Sequence, residues 1–302
     1  MAGALRIRVL GSAAGGGFPQ WNCLCPNCRL AWEGDPSVRP RTQSSLAISA
    51  DGDRWLLLNA SPDLRQQIYA NSCLHPRGAM RQTPIVGVFL TNGDVDHLAG
   101  LLTLREQQAF TIYGSASVLE QTKHGAFGVL NPELVHRMPV ALEARIDMGL
   151  GFTIQSFAVP GKVPLYLEGD EVRVGEETDT TIGLEIKSGT ARAIVIPGCA
   201  EVTDDVLRRV EDAGVLFFDG TTYTDDEMVR MGLSQKTAWR MGHCAIDGAR
   251  GSLARFAGSK IGQRVYTHIN NSNPILVEDS PERARVEAAG WTVAHDGLEI
   301  VL

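Results

Sequence analysis

Two clusters of potential metal ligands stand out in the sequence. The first lies in LTNGDVDHLAGLL (90–102), where Asp94, Asp96 and His97 separate a strand-like apolar run from a helix-like one. Functional sites in α/β folds collect at the C-terminal ends of strands, and a helix start favours negative charge. A second strand end, in RVYTHINNSNP, offers His268. Two such ends facing each other would form a metal site; for either carboxylate taken alone, capping of the helix is the alternative.

The second cluster is WNCLCPNCR, which spaces Cys23, Cys25 and Cys28 as C-x-C-x-x-C. This spacing lets three thiolates converge on one zinc ion, at about 2.3 Å each. We therefore predict a structural zinc in a small loop at 21–29, with a fourth ligand from elsewhere in the chain. The ion would hold the Gly-rich segment 11–20 in place. Three small buried residues without a metal are the alternative, and the glycines either bind an anion or only form turns.

The composition is that of an ordinary folded protein, with 302 residues, 44% hydrophobic residues and a net charge of −7. The acidic balance argues against nucleic acid or an anionic membrane as the main partner. No apolar run approaches the roughly 18 residues of a membrane-spanning helix. Arginines near the start stand where a signal peptide needs its apolar segment. Three of six cysteines are clustered and three stand alone, unlike a disulfide framework. We expect a cytoplasmic protein without membrane insertion.

Strand-like and helix-like segments alternate along the whole chain, which predicts an α/β architecture. The predicted strands cover residues 5–10, 45–49, 54–60, 85–90, 111–114, 152–159, 181–186, 191–197, 215–220, 264–269 and 291–302. The predicted helices cover 61–70, with Ser61 as its cap, 97–108, 203–213, 224–232 and 280–290. No linker separates two parts, so we expect one domain over 1–302. The segment 160–180, interrupted by Gly, Pro and acidic residues, predicts a long functional loop or hairpin.

Several motifs together resemble the coenzyme PQQ synthesis protein B family of the metallo-β-lactamase superfamily. These motifs are WNCLCPNC, LLLNASPDLRQQI, LTNGDVDHLAGLLTLRE, FFDGTTY, RMGHCAIDG, THINNSNPI and AHDGLEI, and they span nearly the whole chain. TNGDVDH has the frame of the superfamily motif T-H-x-H-x-D-H, with asparagine and aspartate in place of its first two histidines. The resemblance implies an αββα sandwich, in which two β-sheets lie back to back with helices outside.

The departures from the superfamily pattern bear on the metal. By resemblance, the first metal set is lost, because Asn92, Asp94 and Lys162 fall where its histidines would be, and Cys199 replaces the bridging aspartate. The second set survives as Asp96, His97 and His268, with Asp94 as a candidate fourth ligand. We therefore expect one ion. Two imidazoles and one carboxylate with open positions suit Fe²⁺ that binds oxygen and substrate, although zinc or another divalent metal accepts the same ligands.

Four further residues are candidates for supporting roles. By resemblance to phosphodiesterases of the fold, His243 would donate a proton or bind the substrate, and Asn271 would be the fourth partner of the structural Zn²⁺. Lys162 would pair with a substrate carboxylate. Asp219 follows the buried run VLFF and would orient a ligand histidine. The alternatives are a turn residue for His243, a solvated side chain for Lys162, a turn cap for Asp219, and water or a backbone group as zinc ligand.

Membership of the family would imply a role in making pyrroloquinoline quinone (PQQ), a cofactor built from a glutamate and a tyrosine of a small peptide. The leading hypothesis is an iron-dependent oxygenase that hydroxylates the tyrosine ring of the cross-linked precursor. A second is a carrier that moves PQQ or its precursor toward the periplasm, and a third is a residual hydrolase. PQQ or its peptide-derived precursor is then the expected partner, and other proteins of the pathway are candidates.

Overall fold

The computed structural model describes residues 3–302 of the chain. Within this range the strands are β1 (Arg6–Gly11), β2 (Ser45–Ser49), β3 (Trp55–Leu58), β4 (Ile85–Phe89), β5 (Phe110–Gly114), β6 (Val135–Pro139), β7 (Arg145–Asp147), β8 (Thr153–Gly161), β9 (Glu176–Ser188), β10 (Ala191–Ile196), β11 (Val215–Asp219), β12 (Gln263–Thr267), β13 (Trp291–Val293) and β14 (Glu299–Val301). The helices are α1 (Pro26–Glu33), α2 (Leu64–Ala70), α3 (Val95–Leu98), α4 (Ala116–Glu120), α5 (Asp204–Val210), α6 (Glu227–Arg230), α7 (Ala238–Met241), α8 (Ser252–Arg255) and α9 (Pro281–Ala288).

The strands form two mixed sheets of seven strands each, in the orders β14-β1-β2-β3-β4-β5-β6 and β13-β12-β11-β10-β9-β8-β7. In the first sheet, β3 to β6 pair in parallel and the other strands pair antiparallel. In the second sheet, β10 to β13 pair in parallel and β7 to β10 pair antiparallel. Each sheet is thus half parallel, as expected where helices cover one face.

The buried side chains divide into three layers. One cluster joins residues of both sheets, such as Phe89 of β4 and Phe217 of β11, and fills the space between them. Successive side chains of a strand point to opposite faces, so Leu216 and Phe218 belong to a second cluster, shared with helices α5 and α9. A third cluster packs the opposite face of the first sheet against α2 and α4. This arrangement confirms the predicted αββα sandwich.

Three strand ends position the chemically interesting residues. β4 leads into the segment that carries Asp96 and His97, β11 ends on Asp219, and β12 is followed directly by His268. The first of these strands belongs to one sheet and the other two belong to the second sheet. Polar side chains from both sheets therefore meet at one edge of the sandwich, where the carboxyl ends of parallel strands lie.

The sequence prediction was wrong at the C-terminus and at two sheet edges. The predicted strand 291–302 is two short strands, β13 and β14, in different sheets. The break falls at Asp296 and at Gly297, whose φ is +87°, and Asp296 accepts hydrogen bonds from Ser12 and Thr42 there. β6 and β7 are edge strands that were not predicted, because their mostly polar, exposed sequences show no apolar run.

The helix predictions were right in place but not in length. The predicted helix 97–108 is the short α3, at Val95–Leu98, followed by a 3₁₀ helix at Ala99–Leu104. Ser61 does not cap α2, which begins at Leu64 after Asp63. The segment predicted as a long loop is the connection between the antiparallel strands β8 and β9. Among residues 3–302, no helix has both the length and the apolarity needed to span a membrane.

Candidate metal centres

Asp96, His97 and His268 come together at the edge of the sandwich. One potential ligand atom from each lies within 4.8 Å of the others. Asp96 Oδ2 is 3.0 Å from His268 Nε2 and 3.8 Å from His97 Nε2. His268 has a φ of +54°, a conformation that costs a non-glycine residue free energy and is concentrated at functional sites. The structure thus juxtaposes three of the four residues predicted for this site.

The surroundings of these atoms fit a bound cation. His97 is 1% exposed, and its Nε2 atom has no hydrogen-bond partner among the described residues. A buried polar atom without a partner costs free energy, so it points to a missing partner. Asp96 Oδ2 faces both imidazoles. A divalent cation bound by all three residues would therefore give His97 Nε2 a partner. Two imidazoles and one carboxylate suit Fe²⁺ and also Zn²⁺.

Thr221 fixes the ring of His268. Its hydroxyl lies 2.6 Å from Asp219 Oδ1 and 2.9 Å from His268 Nδ1. A carboxylate can only accept, so the single hydroxyl proton goes to Asp219 and His268 Nδ1 donates to the hydroxyl oxygen. With Nδ1 engaged in this way, Nε2, which faces Asp96, is the atom left to bind a metal once it gives up its proton.

Asn59 supports the loop that carries His97, through hydrogen bonds to Thr91. It lies just after β3 with a φ of +61°, and its side chain bonds both the backbone N–H and the hydroxyl of Thr91. The Thr91 hydroxyl in turn lies 3.5 Å from His97 Nδ1, and His97 O accepts from the N–H of Ala60. The loop that carries His97 is therefore held from β3.

A second group of three residues, Asp219, His243 and His268, also has ligand atoms within 4.8 Å of one another. Its centre is filled by the Thr221 hydroxyl, which lies 3.1 Å from His243 Nδ1 as well. Asp219 Oδ2 accepts from His243 Nδ1 at 2.7 Å and from the N–H of Cys199 at 2.9 Å. This group is thus a hydrogen-bonded network that orients two histidines, and not a second metal site.

The pKa values of these groups follow from burial and from each other. Burial lowers the pKa of His97 to about 4, although Asp96 opposes this shift. Burial would also lower the pKa of His268, but the hydrogen bond and charge of Asp96 raise it instead. Burial opposes ionisation of Asp96, but His97 and His268 hold its pKa below the ordinary value. At neutral pH the centre therefore offers an ionised carboxylate beside the neutral imidazole of His97, and a cation that binds there would take the place of the proton that Asp96 favours on His268.

Asp94 and Lys162 lie outside this cluster. Asp94 is the residue before α3, where its backbone oxygen accepts from the N–H groups of His97 and Leu98. Burial and the charge of Asp96 raise the pKa of Asp94 to about 6, and its role as a fourth ligand stays a prediction. The Lys162 ammonium pairs with Glu168 at 2.9 Å, so it is not solvated, and its predicted pairing with a substrate stays a prediction too.

Two residues that stand where the superfamily binds its other metal are engaged elsewhere. The side-chain oxygen of Asn92 accepts from the N–H of Asp94 at 3.0 Å. The thiol of Cys199 lies 3.0 Å from Glu201 O and donates to it. Burial raises the pKa of Cys199 far above its ordinary value, which keeps it a thiol. These contacts favour one ion at this edge of the sandwich.

The three clustered cysteines form a separate centre, with their sulfur atoms within 4.8 Å of one another. Cys23 and Cys25 precede α1 and Cys28 lies within it, so the predicted loop 21–29 is partly helical. Asn271 Nδ2 lies 3.2, 3.6 and 3.3 Å from the three sulfur atoms. Burial raises the pKa of Cys25 to about 12, so a bound cation is what would keep these sulfurs as thiolates. The donor set fits zinc, with the Asn271 side chain over the fourth position.

A cavity of about 540 Å³ opens beside His243. Its walls include Trp239, Asp225 and Arg250, and the guanidinium of Arg250 lies 5.9 Å from the centre of the Trp239 ring. His243 Nδ1 is held by Asp219, which leaves Nε2 without a hydrogen bond from the described residues. A wall of this cavity is thus formed by an imidazole that Asp219 holds in place.

Sequence reasoning missed the residues that orient the ligands. Thr221 lies in the quoted motif FFDGTTY, but only Asp219 was singled out there. Asn59 follows β3 in LLLNASPDL, a position at which a polar residue after an apolar run was a usable signal. Glu168, which pairs with Lys162, had no such signal because its other partners, Lys236 and Arg240, are distant in the chain.

Comparison with known proteins shows the family to which the chain belongs. A family model described as a beta-lactamase superfamily domain matches residues 54–269. Coenzyme PQQ synthesis protein B of Methylorubrum populi is 56% identical over 99% of this chain and 100% of that protein. The chain belongs to the coenzyme PQQ synthesis protein B family. This confirms the family resemblance inferred from the motifs.

Solved structures place the family in its fold. The crystal structure of Zn²⁺-bound PqqB from Methylobacterium extorquens has a TM-score of 0.97 and 55% identity, and the match covers 98% of this chain and 100% of that one. A diphosphatase from the PhnP family has a TM-score of 0.71 at 19% identity, covering 100% of this chain and 98% of that one. The second likeness concerns the fold alone.

Proposed function

We propose that this chain acts in the synthesis of PQQ as a metal-dependent oxygenase that hydroxylates the tyrosine ring of the peptide-derived precursor. The pathway follows from the family, whose members carry that name. The observation that carries the reaction class is the cluster of Asp96, His97 and His268, in which the buried Nε2 atom of His97 has no partner. Two imidazoles and one carboxylate form the ligand set of non-haem iron oxygenases.

The positions for a second metal support this choice over hydrolysis. A two-metal clamp holds both the attacking and the leaving oxygen in hydrolases of this kind. Asn92 is bonded within its own loop, Cys199 donates to Glu201, and the Lys162 ammonium is paired with Glu168. A single ion with open coordination positions is what the remaining ligands would hold.

When bound by Asp96, His97 and His268, Fe²⁺ would supply the activation of oxygen. The protein's own residues do the rest. Thr221 and Asp219 hold His268 and His243 in fixed tautomers, so that no reorganisation is needed during the reaction. His243 borders the 540 Å³ cavity and would give or take the proton of the phenol. The segment 163–168 packs on Gly93, in the loop before Asp94, through Pro164 and Tyr166.

Anaerobic reconstitution with Fe²⁺ tests this proposal. With ascorbate present as the two-electron reductant that converts the second oxygen atom to water, we expect oxygen uptake with a tyrosine-containing dipeptide and a product heavier by one oxygen atom. Protein loaded with Zn²⁺ should bind the dipeptide but give no product. Iron-loaded protein that binds the dipeptide and yields no oxygenated product would overturn the oxygenase proposal. Product formation without oxygen would favour a hydrolase, and unchanged affinity for PQQ in His268→Ala would favour a carrier.

A further inference from the structure

Three cationic side chains converge on one carboxylate, that of Glu168. The guanidinium of Arg240 donates to both carboxylate oxygens, at 3.1 and 2.9 Å. The ammonium of Lys162 lies 2.9 Å from Glu168 Oε1, and that of Lys236 lies 3.9 Å from Oε2. The side chains of Glu168 and Lys162 are only 9% and 11% exposed. This cluster, defined as Lys162, Lys236 and Arg240, is a well-formed receptor for a carboxylate.

The cluster carries more positive charge than Glu168 can neutralise. Among residues 3–302, no second carboxylate pairs with any of the three cations. Three positive charges face the paired carboxylate of Glu168, and the charge of Lys162 also acts on the Asp94 carboxylate, so a surplus of one positive charge remains in a chain whose net charge is −7. A partly buried surplus of this kind attracts anions. A structural ion pair alone would need only one of these cations.

The cluster adjoins the candidate active site. A Cβ added to Gly242 would lie 3.0 Å from Lys162 Cγ, so the lysine stem packs against the residue before His243. The backbone oxygen of Lys162 accepts from the Thr181 hydroxyl at 3.2 Å, and Thr181 pairs with Asn92. Arg240 lies on α7 beside Trp239, which lines the cavity next to His243. The cluster therefore adjoins the segment that carries Trp239 and His243, two of the residues that line this cavity.

Glu168 anchors a segment that covers the metal-binding loop. Pro164 and Tyr166 pack on Gly93, and the Tyr166 hydroxyl donates to Gly93 O at 2.8 Å. The side chains of Leu165 and Leu167 are exposed, by 61% and 44%. Because the segment buries little apolar surface, the ion pairs of Glu168 supply much of its attachment, and it can lift at low cost.

We propose that Lys162, Lys236 and Arg240 bind a carboxylate group of the substrate, and that Glu168 occupies this receptor until the substrate displaces it. The inference rests on the proposed function, since it names the substrate class as a compound with a free carboxylate beside the tyrosine-derived ring. The guanidinium fork and the two ammonium groups accept an external carboxylate in the same geometry as that of Glu168. The segment 163–168 would move when the exchange takes place.

Calorimetric titration of zinc-loaded protein with glutamyl-tyrosine tests the exchange without iron or turnover. Glu168→Gln removes the internal competitor and should tighten binding about tenfold, because the open receptor is then always available. Lys162→Met and Arg240→Met should each weaken binding about tenfold or more. The diamide of the dipeptide should bind weakly, and its affinity should not respond to Glu168→Gln. Glu299→Gln, which also removes a carboxylate held by two arginines but far from the site, should change nothing.

Unchanged or weaker binding of glutamyl-tyrosine by folded Glu168→Gln would overturn the proposal, as would an equal gain for the diamide. Circular dichroism reports whether the variant is folded. If it is not, Glu168→Asp is the substitute, because a shorter carboxylate competes less well and should also tighten binding. The calorimetric titration uses zinc-loaded protein and measures binding alone, whereas the iron-dependent product assay measures hydroxylation. Failure of one experiment therefore leaves the result of the other unaffected.

Discussion

The hydroxyl of Thr221 lies 2.9 Å from Nδ1 of His268. Although 47 positions apart in the chain, the two residues follow neighbouring parallel strands, β11 and β12. The same hydroxyl donates to Asp219, which is 0% exposed. The chain therefore builds the ring orientation of a metal ligand into the central part of the second sheet, and the candidate centre depends on residues that do not touch the metal.

Thr221→Val is expected to lower the affinity of the Asp96, His97 and His268 site for Fe²⁺ or Zn²⁺ by about 10-fold to 100-fold. The substitution keeps the shape of the side chain but removes the acceptor for His268 Nδ1. Competition with a chelator of known affinity measures the loss. The three-cysteine site in the same molecule serves as an internal reference and should retain its zinc.

Thr222→Val is the matched control for that variant. The hydroxyl of Thr222 is fully buried next to Thr221 in the chain, yet it has no hydrogen-bond partner among the described residues. Its removal should leave the metal affinity within about twofold, since no ligand depends on it. Equal losses in both variants would show that Thr221 acts only through packing.

The strands that carry the site could be predicted from the sequence because they lie in the interior. β4 and β11 are apolar runs buried almost throughout, β12 is buried over its last three residues, and each leads into polar residues. The predicted ligands Asp96, His97 and His268 stand at those transitions. β6 and β7 were missed because an edge strand has little buried surface and hence no apolar pattern.

The supporting contacts could not be predicted in the same way. Glu168 meets Arg240 across 72 positions, and Asp96 meets His268 across 172. Such pairings are set by how the two sheets and their loops stack, which no local pattern encodes. The resemblance to phosphodiesterases of the fold predicts that His243 lies near the metal. Only the fold shows that Asp219 accepts a hydrogen bond from His243, and that the Thr221 hydroxyl lies between Asp219, His243 and His268.

Asn59 offers a test that separates backbone strain from hydrogen bonding. Its φ of +61° lies in the left-handed region, which glycine adopts without strain but which costs alanine conformational free energy. Asn59→Gly should lose only the two bonds to Thr91, whereas Asn59→Ala should lose the same bonds and be less stable by about a further 1 kcal/mol. Urea unfolding of the zinc-loaded variants measures both. Equal stabilities would mean that the backbone there relaxes.

Asn271→Ala is expected to speed the loss of zinc from the three-cysteine site. The amide of Asn271 lies over the three sulfur atoms, so its removal opens the fourth position to water and to chelators. Zinc release to a chromogenic chelator gives the rate. Asn22→Ala truncates an exposed asparagine on the same loop and should release zinc at the original rate. Equal rates in all three proteins would rule out Asn271 as the fourth partner.

The cationic cluster should make stability depend on pH through Glu168. The hydrogen bond from Arg240 and the neighbouring Lys162 lower the pKa of Glu168 to about 2, from 4.5. A lowered pKa means that the stabilisation is complete above pH 4.5 and is lost as the pH falls toward 2. Glu168→Gln should thus cost about 2 kcal/mol at pH 7 after allowance for partly exposed partners, and the difference should vanish near pH 2. A difference that is constant with pH would exclude an electrostatic origin.

The Thr221 hydroxyl lies close to Nδ1 of both His243 and His268, but replacing these two histidines should have different effects. His268 faces Asp96 through Nε2, whereas His243 is tied to Asp219 through Nδ1 and borders the cavity. His268→Gln should therefore remove the active-site metal. His243→Gln should keep the metal content and lower kcat for tyrosine hydroxylation by about 100-fold or more, as expected for loss of a proton donor or acceptor. Metal analysis beside single-turnover kinetics of the iron-loaded variants separates the two effects. Loss of metal in His243→Gln would place this histidine among the ligands, because the Asp219 network would then serve the metal rather than the substrate.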